Sequence, residues 1–255
     1  MIKISAVIIT LNEEKKIGRC LDSLQDIADE VIVVDSYSTD RTKEICLAKG
    51  AVFIEHPFKD YVDQRRFALE KASHNYILAI DADEAVSETL KKEILKVKDH
   101  WQADGYYFNR LNNYCGQWIH HGGWYPDRKL RLVDRTKGIW GGENPHERFE
   151  INPGTITRHI KGDLLHYSYS AIAEHVNQAN KFSSMGAQSA INKGRHSNVL
   201  KVIFYPLWRF VRNYFIKMGF LDGFYGLVVA SINGHENFLK YAKMIELQQQ
   251  KIEKQ

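Results

Sequence analysis

Residues 76–84 have the sequence Tyr-Ile-Leu-Ala-Ile-Asp-Ala-Asp-Glu, an apolar run that ends in carboxylates. A run of this length predicts a buried strand with the carboxylates at its carboxyl end. Asp81 and Asp83 lie two residues apart, so both can approach one oxygen-preferring cation such as Mg²⁺ or Mn²⁺. Such a cation also binds a substrate diphosphate and neutralises its charge. The alternative is a solvated turn, because Asp-x-Asp is a common sequence.

Strand and helix patterns alternate on both sides of this segment. Strands are predicted over residues 2–10, 30–34, 51–55 and 76–80, and helices over residues 13–24, 40–49, 62–73 and 88–98. This alternation predicts an α/β fold with a mostly parallel central sheet flanked by helices. Ligands of such sheets bind beyond the carboxyl ends of the strands, where Thr10, Asp35 and Asp81 are expected to meet.

Several function classes are disfavoured by what the sequence lacks. It has neither the glycine pattern of dinucleotide-binding oxidoreductases nor that of P-loop nucleotidases. The Asp-x-Asp follows the fourth predicted strand, whereas phosphatases of the haloacid dehalogenase type carry it after the first. A formal net charge of +4 is too small to indicate a nucleic-acid partner. Three widely spaced cysteines favour a reducing cytosol, and the short apolar N-terminus predicts a strand rather than a signal peptide.

The order of four motifs resembles that of family 2 glycosyltransferases with the GT-A fold. They are Thr10-Leu11-Asn12-Glu13, the run from Val33 to Asp40, the segment from Gln64 to Leu69, and the Asp-x-Asp. Arg66 stands where the family usually has Asn. Residues 124–132 and 144–147 extend the resemblance to the lipopolysaccharide-core β-1,4-glucosyltransferase branch.

The resemblance implies an inverting, metal-dependent transfer of a hexose. In that branch glucose passes from UDP-glucose to a heptose of the lipopolysaccharide inner core, or to a similar lipid-linked glycan. Two alternatives stay open: a transferase for capsule, another surface polysaccharide or a glycoprotein, and a non-catalytic membrane scaffold that binds sugar nucleotides. The expected domains are residues 1–168, with a nucleotide-sugar half (1–100) and an acceptor half (101–168), and a C-terminal helical region (169–255).

The family's donor-binding roles fall on named positions of this sequence. Thr10, Asn12 and Glu13 are expected to line the nucleotide pocket, and Asp35 to contact the uracil or ribose. For Asp35 the alternative is a capping role near the next helix. Arg65 is expected near the nucleobase.

Metal, phosphate and proton-transfer roles follow in the same way. The predicted metal ligands are Asp81, Asp83 and His166, and Asp81 is also a predicted contact of the donor substrate. The predicted diphosphate contact is Arg131, with Arg128 as a second candidate. Glu147 is the candidate base, because an inverting transfer needs a carboxylate to take the acceptor proton. The family's usual Glu-Asp pair is missing, so Glu143 and Asp134 are reserves. For His166 and for His120-His121 a structural role is the alternative.

The segment from Asn198 to Phe220 interleaves large apolar side chains with cations. This composition is typical of a helix in a membrane interface, where rings lie among headgroups and cations meet anionic lipid. The alternative is a helix packed on the catalytic domain or on a second subunit. We therefore expect a cytoplasmic protein with peripheral contact at the inner face of the bacterial inner membrane.

Overall fold

The computed structural model describes residues 1–142 and 147–253, and for residues 252 and 253 only the backbone. The strands in these ranges are β1 (Ile4–Thr10), β2 (Glu30–Asp35), β3 (Val52–Glu55), β4 (Tyr76–Asp81), β5 (Glu84–Val86), β6 (Gly105–Tyr114), β7 (Gln117–Ile119), β8 (Asp127–Asp134), β9 (Gly138–Gly141), β10 (Arg148–Ile151) and β11 (Thr157–Tyr169). The α-helices are α1 (Ile17–Ser23), α2 (Thr42–Ala48), α3 (Tyr61–Lys71), α4 (Glu88–Asp99), α5 (Ile172–Asn192), α6 (Val199–Val211) and α7 (Gly223–Glu253). The expected alternation through residue 99 and the helical C-terminal region are both present.

The main sheet has the strand order β3-β2-β1-β4-β8-β6-β11-β5, and β7 pairs with β6. Strands β1 to β4 are parallel, whereas β8 runs antiparallel to β4. The register places Thr10 opposite Asp35 and Ile9 opposite Asp81. The carboxyl ends of β1, β2 and β4 therefore meet at one edge of the sheet, as the sequence predicts.

The chain divides into two compact units, and residues 111–126 group with the C-terminal helices. The first unit, residues 1–110 and 127–167, has a sheet that is buried on both faces. Alternate residues of β1 belong to different apolar clusters: Ile8 packs with helices α1 and α4, and Val7 packs with α3 and the β9–β10 hairpin. Strands covered on both sides are near-continuous apolar runs, which explains the composition of residues 4–10.

The second unit, residues 111–126 and those from Ser168 onward, is built around the aromatic ring of Tyr114. Its hydroxyl lies 3.1 Å from Nδ1 of His175 on α5, which is also buried. Rings of Trp124, Tyr169 and Tyr225 surround the pair at centroid distances of 4.6–5.8 Å. Burial in this aromatic site lowers the pKa of His175 to about 4.

This shift makes the stability of the protein depend on pH. An exposed histidine has a pKa of about 6.5, so between about pH 6.5 and 4 the unfolded chain binds a proton that the folded protein excludes. We expect the free energy of unfolding to be about 2 kcal/mol smaller at pH 5 than at pH 7 because of His175 alone. His175→Gln should lack this contribution, which urea unfolding at the two pH values measures. His100→Gln, an exposed control, should keep the wild-type pH dependence, and equal pH dependence in all three proteins would contradict the burial of His175.

Candidate active site

The loops after β1 and β2 are joined by hydrogen bonds between the first two motifs. The backbone N–H of Asn12 donates to Oγ of Ser38 over 2.7 Å, and the Asn12 side chain accepts the N–H of Thr39 over 2.8 Å. Asn12 has a φ of 55°, a left-handed conformation that Asn tolerates better than most residues. One oxygen of Asp40 accepts the N–H of Glu14, and the other caps Thr42 at the start of α2. These bonds fix the two loops at the edge of the sheet.

Asp35 lies at the end of β2 and is only 1% exposed. Its carboxylate accepts the backbone N–H of Ser38 over 2.6 Å and also the Ser38 hydroxyl. These bonds lie within the loop after β2 and do not cap α2, whose first residue, Thr42, donates its N–H to Asp40. Thr10 is buried beside it, and its hydroxyl has no hydrogen-bond partner among residues 1–142 and 147–253. The donor-binding roles of both residues stay predictions.

Asp81 lies between two buried arginines. Its carboxylate oxygens are 2.6 Å from Nη2 of Arg65 on α3 and 3.1 Å from Nη2 of Arg131 on β8. Burial disfavours the charged form of Asp81, but the two guanidinium groups outweigh it and hold its pKa well below the ordinary range. Asp81 is therefore a fixed negative charge at physiological pH, and it could bind a cation only by giving up part of these ion pairs.

Arg65 also joins the candidate base to this group. Its Nε lies 3.2 Å from Oε1 of Glu147, whose side chain is largely buried. The guanidinium stacks on the indole of Trp140 at 4.6 Å, and Arg131 approaches the same ring at 5.7 Å. Two predicted donor contacts, Arg65 and Arg131, thus form one cluster with Asp81 and Glu147, in which Arg65 bridges two carboxylates.

Asp83 and His166 form a separate pair at the same edge. His166 on β11 places Nε2 3.2 Å from Oδ2 of Asp83, and the Lys16 ammonium lies 3.8 Å from the same oxygen. Glu13 is beside them, where burial raises its pKa and the charge of Asp83 adds to the effect against the opposing Lys16. Within the described residues no three His, Cys, Asp or Glu side chains form a ready metal site. Asp83 and His166 nonetheless fit as the protein's two ligands of a cation that also takes substrate phosphate oxygens.

A buried carboxylate that the sequence analysis missed supports the Asp-x-Asp turn. Glu84 is 1% exposed, and its Oε2 accepts the backbone N–H of Asp81 over 2.9 Å. Its other oxygen lies 3.4 Å from Nη1 of Arg110 and 4.0 Å from Nη2 of Arg131. Arg110 then pairs with Asp127 at 2.8 Å. The sequence signal that could have identified Glu84 is its place between the Asp-x-Asp and the apolar Ala85-Val86.

The remaining candidates lie in other surroundings. Asp134 caps a short turn by accepting the N–H of Thr136, and Arg128 lies over the ring of Tyr107. In the second unit His121 pairs with the buried carboxylate of Asp222 at 2.9 Å. Glu143, the other reserve base, falls outside the described residues.

Loss of the Glu84 carboxylate should destabilise the protein strongly. Glu84→Ala leaves the Asp81 N–H without its acceptor and removes a buried negative charge from beside Arg110 and Arg131, which keep Asp127 and Asp81. Removing one member of a buried ion pair costs about 3–5 kcal/mol. Glu70→Ala, on the exposed side of α3, should change stability by less than about 0.5 kcal/mol. Equal free energies of unfolding for the two variants, from urea titration at pH 7, would show that Glu84 is not part of a buried charge network.

Comparison with known proteins places this geometry in a family. The profile of Glycosyl transferase family 2 matches residues 5–159. An uncharacterized glycosyltransferase of Rickettsia typhi is 33% identical over 97% of this chain and 88% of its own length. The lipopolysaccharide core biosynthesis glycosyltransferase LpsC of Rhizobium meliloti is 31% identical over 95% of this chain and 92% of its own length.

Solved structures give weaker matches. TarS of S. aureus aligns over 93% of this chain and 54% of its own length, with a TM-score of 0.48 and 17% identity. Glucosyl-3-phosphoglycerate synthase from Mycobacterium tuberculosis, crystallised with Mn²⁺ and UDP, aligns over 44% of each chain with a TM-score of 0.35 and 24% identity. The chain thus spans about half the length of these two solved proteins. From its motifs, its sheet and the profile match over residues 5–159, the chain belongs to glycosyl transferase family 2 and has the GT-A fold.

Proposed function

We propose that this glycosyltransferase is metal-dependent and inverting, and that it transfers glucose from UDP-glucose to a heptose of the lipopolysaccharide inner core or to a similar lipid-linked glycan. The observation that carries the proposal is the cluster of Asp81, Glu147 and two buried arginines at the carboxyl end of β4, with the Asp83–His166 pair at the same edge of the sheet. Family membership supplies the reaction class. The similarity to LpsC, whose name assigns it to lipopolysaccharide core biosynthesis, supports the acceptor class.

The donor would bind along the edge where β1, β2 and β4 end. Thr10, Asn12, Glu13 and Asp35 are the proposed contacts for the nucleoside, on loops that hydrogen bonds already fix. Arg131 is the proposed diphosphate contact, because its Nη1 is buried without a hydrogen-bond partner in the described part of the chain. A guanidinium fork matches phosphate geometry, so an anion would satisfy this group.

Asp83 and His166 are the residues that would hold a divalent cation, Mg²⁺ or Mn²⁺. When bound, the cation would neutralise the diphosphate that leaves with UDP. The carboxylate and the phosphate oxygens suit both ions, and the imidazole favours Mn²⁺ over the harder Mg²⁺. Asp81 would support the site as a fixed charge, and its predicted role as a further ligand requires movement away from Arg65 or Arg131.

Glu147 is the proposed base. In an inverting transfer the acceptor oxygen forms a bond to the anomeric carbon while the bond from that carbon to the UDP oxygen breaks. The acceptor hydroxyl proton passes to the Glu147 carboxylate. Arg65 positions this carboxylate beside Asp81 through contacts to both groups.

A lipid-linked acceptor places the reaction at a membrane surface. We propose that the protein is cytoplasmic and contacts the inner face of the bacterial inner membrane through the basic, apolar segment from Asn198 to Phe220. Anionic headgroups complement Lys201, Arg209 and Arg212.

The donor proposal is tested by hydrolysis of a panel of UDP-, GDP- and dTDP-sugars with Mn²⁺ and with a chelator. We expect turnover of UDP-glucose that stops in chelator and falls about 10²–10³-fold in Asp83→Asn, the range for losing one electrostatic contact to a leaving group. Asp99→Asn, an exposed substitution of the same type, should retain full activity. If no sugar nucleotide is hydrolysed or bound with metal, the transferase proposal fails and the scaffold alternative gains support.

The role of Glu147 is tested with UDP-glucose and lipopolysaccharide truncated to the inner-core heptose. In Glu147→Gln we expect kcat for transfer to fall about 10²–10⁴-fold, as for loss of a general base, with UDP affinity by calorimetry unchanged. Glu150→Gln, an exposed change on β10 of the same hairpin, is the matched control. Unchanged kcat in Glu147→Gln would assign the base elsewhere.

A further inference from the structure

The outward face of α6 is apolar, whereas the outward face of an ordinary surface helix is polar. No residue of α6 is buried, yet the helix is almost entirely apolar. Phe204 is 62% exposed, Leu207 59% and Trp208 57%. Surface helices of globular proteins place polar side chains on the outward face, and contiguous exposed apolar surface marks an interaction site.

The other side of α6 is already packed. Val202, Pro206 and Phe210 face inward at helical spacing and are half-buried, and α6 packs along α7. A Cβ at Gly234 of α7 would lie 3.2 Å from the carbonyl oxygen of Pro206, so the two helices approach closely. The apolar outward face is therefore held in a fixed place.

The charge of the segment selects the kind of partner. Residues 198–221 include four cations, Lys201, Arg209, Arg212 and Lys217, and no acid. At 100° per residue, Lys201, Arg209 and Arg212 fall along one flank of the outward face, as in helices that lie at a lipid interface. A second copy of this chain would bring four like charges against four, which disfavours a symmetric dimer. Anionic lipid satisfies both the apolar face and its basic flank.

The apolar surface continues around the bend between α6 and α7. The bend, residues 212–222, contains a π-helical turn (Arg212–Ile216) and a short 3₁₀ turn (Gly219–Asp222). Phe215, Ile216 and Leu221 are each more than half exposed there. No single helix in the described ranges has the length and apolar composition to cross a membrane, whereas Val199–Ile216 and Gly219–Lys251 meet that test together with a 72° bend between them.

Backbone groups of the bend are bonded internally, which burial in hydrocarbon requires, whereas the side chain of Lys217 is exposed and long enough to reach the headgroups. The backbone N–H of Lys217 donates to the Arg212 carbonyl over 2.8 Å, and the Lys217 carbonyl accepts the N–H of Gly122 over 2.9 Å. Asp222, the first acid after the segment, is buried and accepts the backbone N–H groups of His120 and His121.

The shape of the bend depends on two glycines. A Cβ on Gly226 would lie only 1.9 Å from the carbonyl oxygen of Gly219, and one on Gly219 would lie 2.7 Å from the Asn213 oxygen. Because neither glycine has a Cβ, the first turn of α7 can pack against the bend. The exposed apolar surface of the bend is thus formed by the protein fold itself and does not need a membrane.

From these features we infer that α6 and the bend form a preformed hook that inserts into the hydrocarbon of one leaflet of an anionic bilayer. The inference deepens the membrane contact of the proposed function, from attraction at the surface to monotopic insertion. The four cations, Lys217 included, would stay at the headgroups while Phe204, Trp208 and the exposed apolar side chains of the bend enter the acyl chains. Attachment would then resist salt and require detergent for release.

The test is flotation of the full chain with vesicles of phosphatidylethanolamine and phosphatidylglycerol, at low salt and in about 1 M NaCl, where charge attraction is screened within about 3 Å. We expect the wild type to float under both conditions. Phe204→Ser/Trp208→Ser should float at low salt through its cations, and its bound fraction in high salt should fall at least about tenfold, consistent with the loss of two buried aromatic side chains. Leu47→Ser/Ile156→Ser, two exposed apolar positions of the first unit, should behave as wild type.

Two outcomes would overturn the hook. One is release of the wild type by high salt, which would reduce the contact to surface attraction. The other is absence of flotation together with a dimer in sedimentation that Phe204→Ser/Trp208→Ser dissociates. Hydrolysis of UDP-glucose, measured in solution on every variant, separates this inference from the proposed function. Retained hydrolysis with lost flotation counts against the hook alone, and retained flotation without hydrolysis counts against the transferase alone.

Discussion

The structure of the first unit depends on the ion pairs of Asp81, a quarter exposed, with the buried Arg65 and Arg131. A carboxylate at the end of an inner strand can stay ionised only if cations and donors replace water, and a cation placed there needs carboxylates in turn. Arg65 therefore requires Glu147 as well as Asp81, and Arg131 requires the neighbourhood of Glu84. The chain of paired charges ties α3, β4 and β8 to the segment before β10, so the position of the candidate base follows from the position of the central carboxylate.

In the loops that carry the first two motifs, the proposed nucleotide contacts Asn12 and Asp35 also hold the backbone in place. Asn12 bonds to Ser38 and Thr39 of the loop after β2, and Asp35 bonds to Ser38 of that same loop. A pocket built this way is preorganised, because the side chains that would meet a nucleotide are already restrained when it is absent.

The sheet and the edge where the motifs meet could be predicted because apolar periodicity and strand-end carboxylates are local signals. The ion-pair network could not, because a buried arginine and a solvated one look alike in sequence. Glu84, Arg110 and Asp127 gain their partners only when β5, β6 and β8 come together. Arg65 bridges two carboxylates, one of which, Glu147, is 82 residues away in the chain, and its predicted contact with the nucleobase stays a prediction. The grouping of residues 111–126 with the C-terminal helices depends likewise on the packing around Tyr114.

A membrane hook on a glycosyltransferase changes which step needs high affinity. When enzyme and lipid-linked acceptor share one leaflet, encounter becomes a search within a surface, and the acceptor's effective concentration rises without any new contact at the active site. The buried charges of the site would then act on the diphosphate and on the transferring sugar, where interactions strengthen in the transition state. Two surfaces would then select a lipid-linked acceptor. The active site would bind its sugar, and the apolar surface of α6 and the bend would bind the bilayer that holds it. The exposed Phe204 and Trp208 on α6 would thus serve membrane attachment, and the charged residues of the active site would serve the reaction.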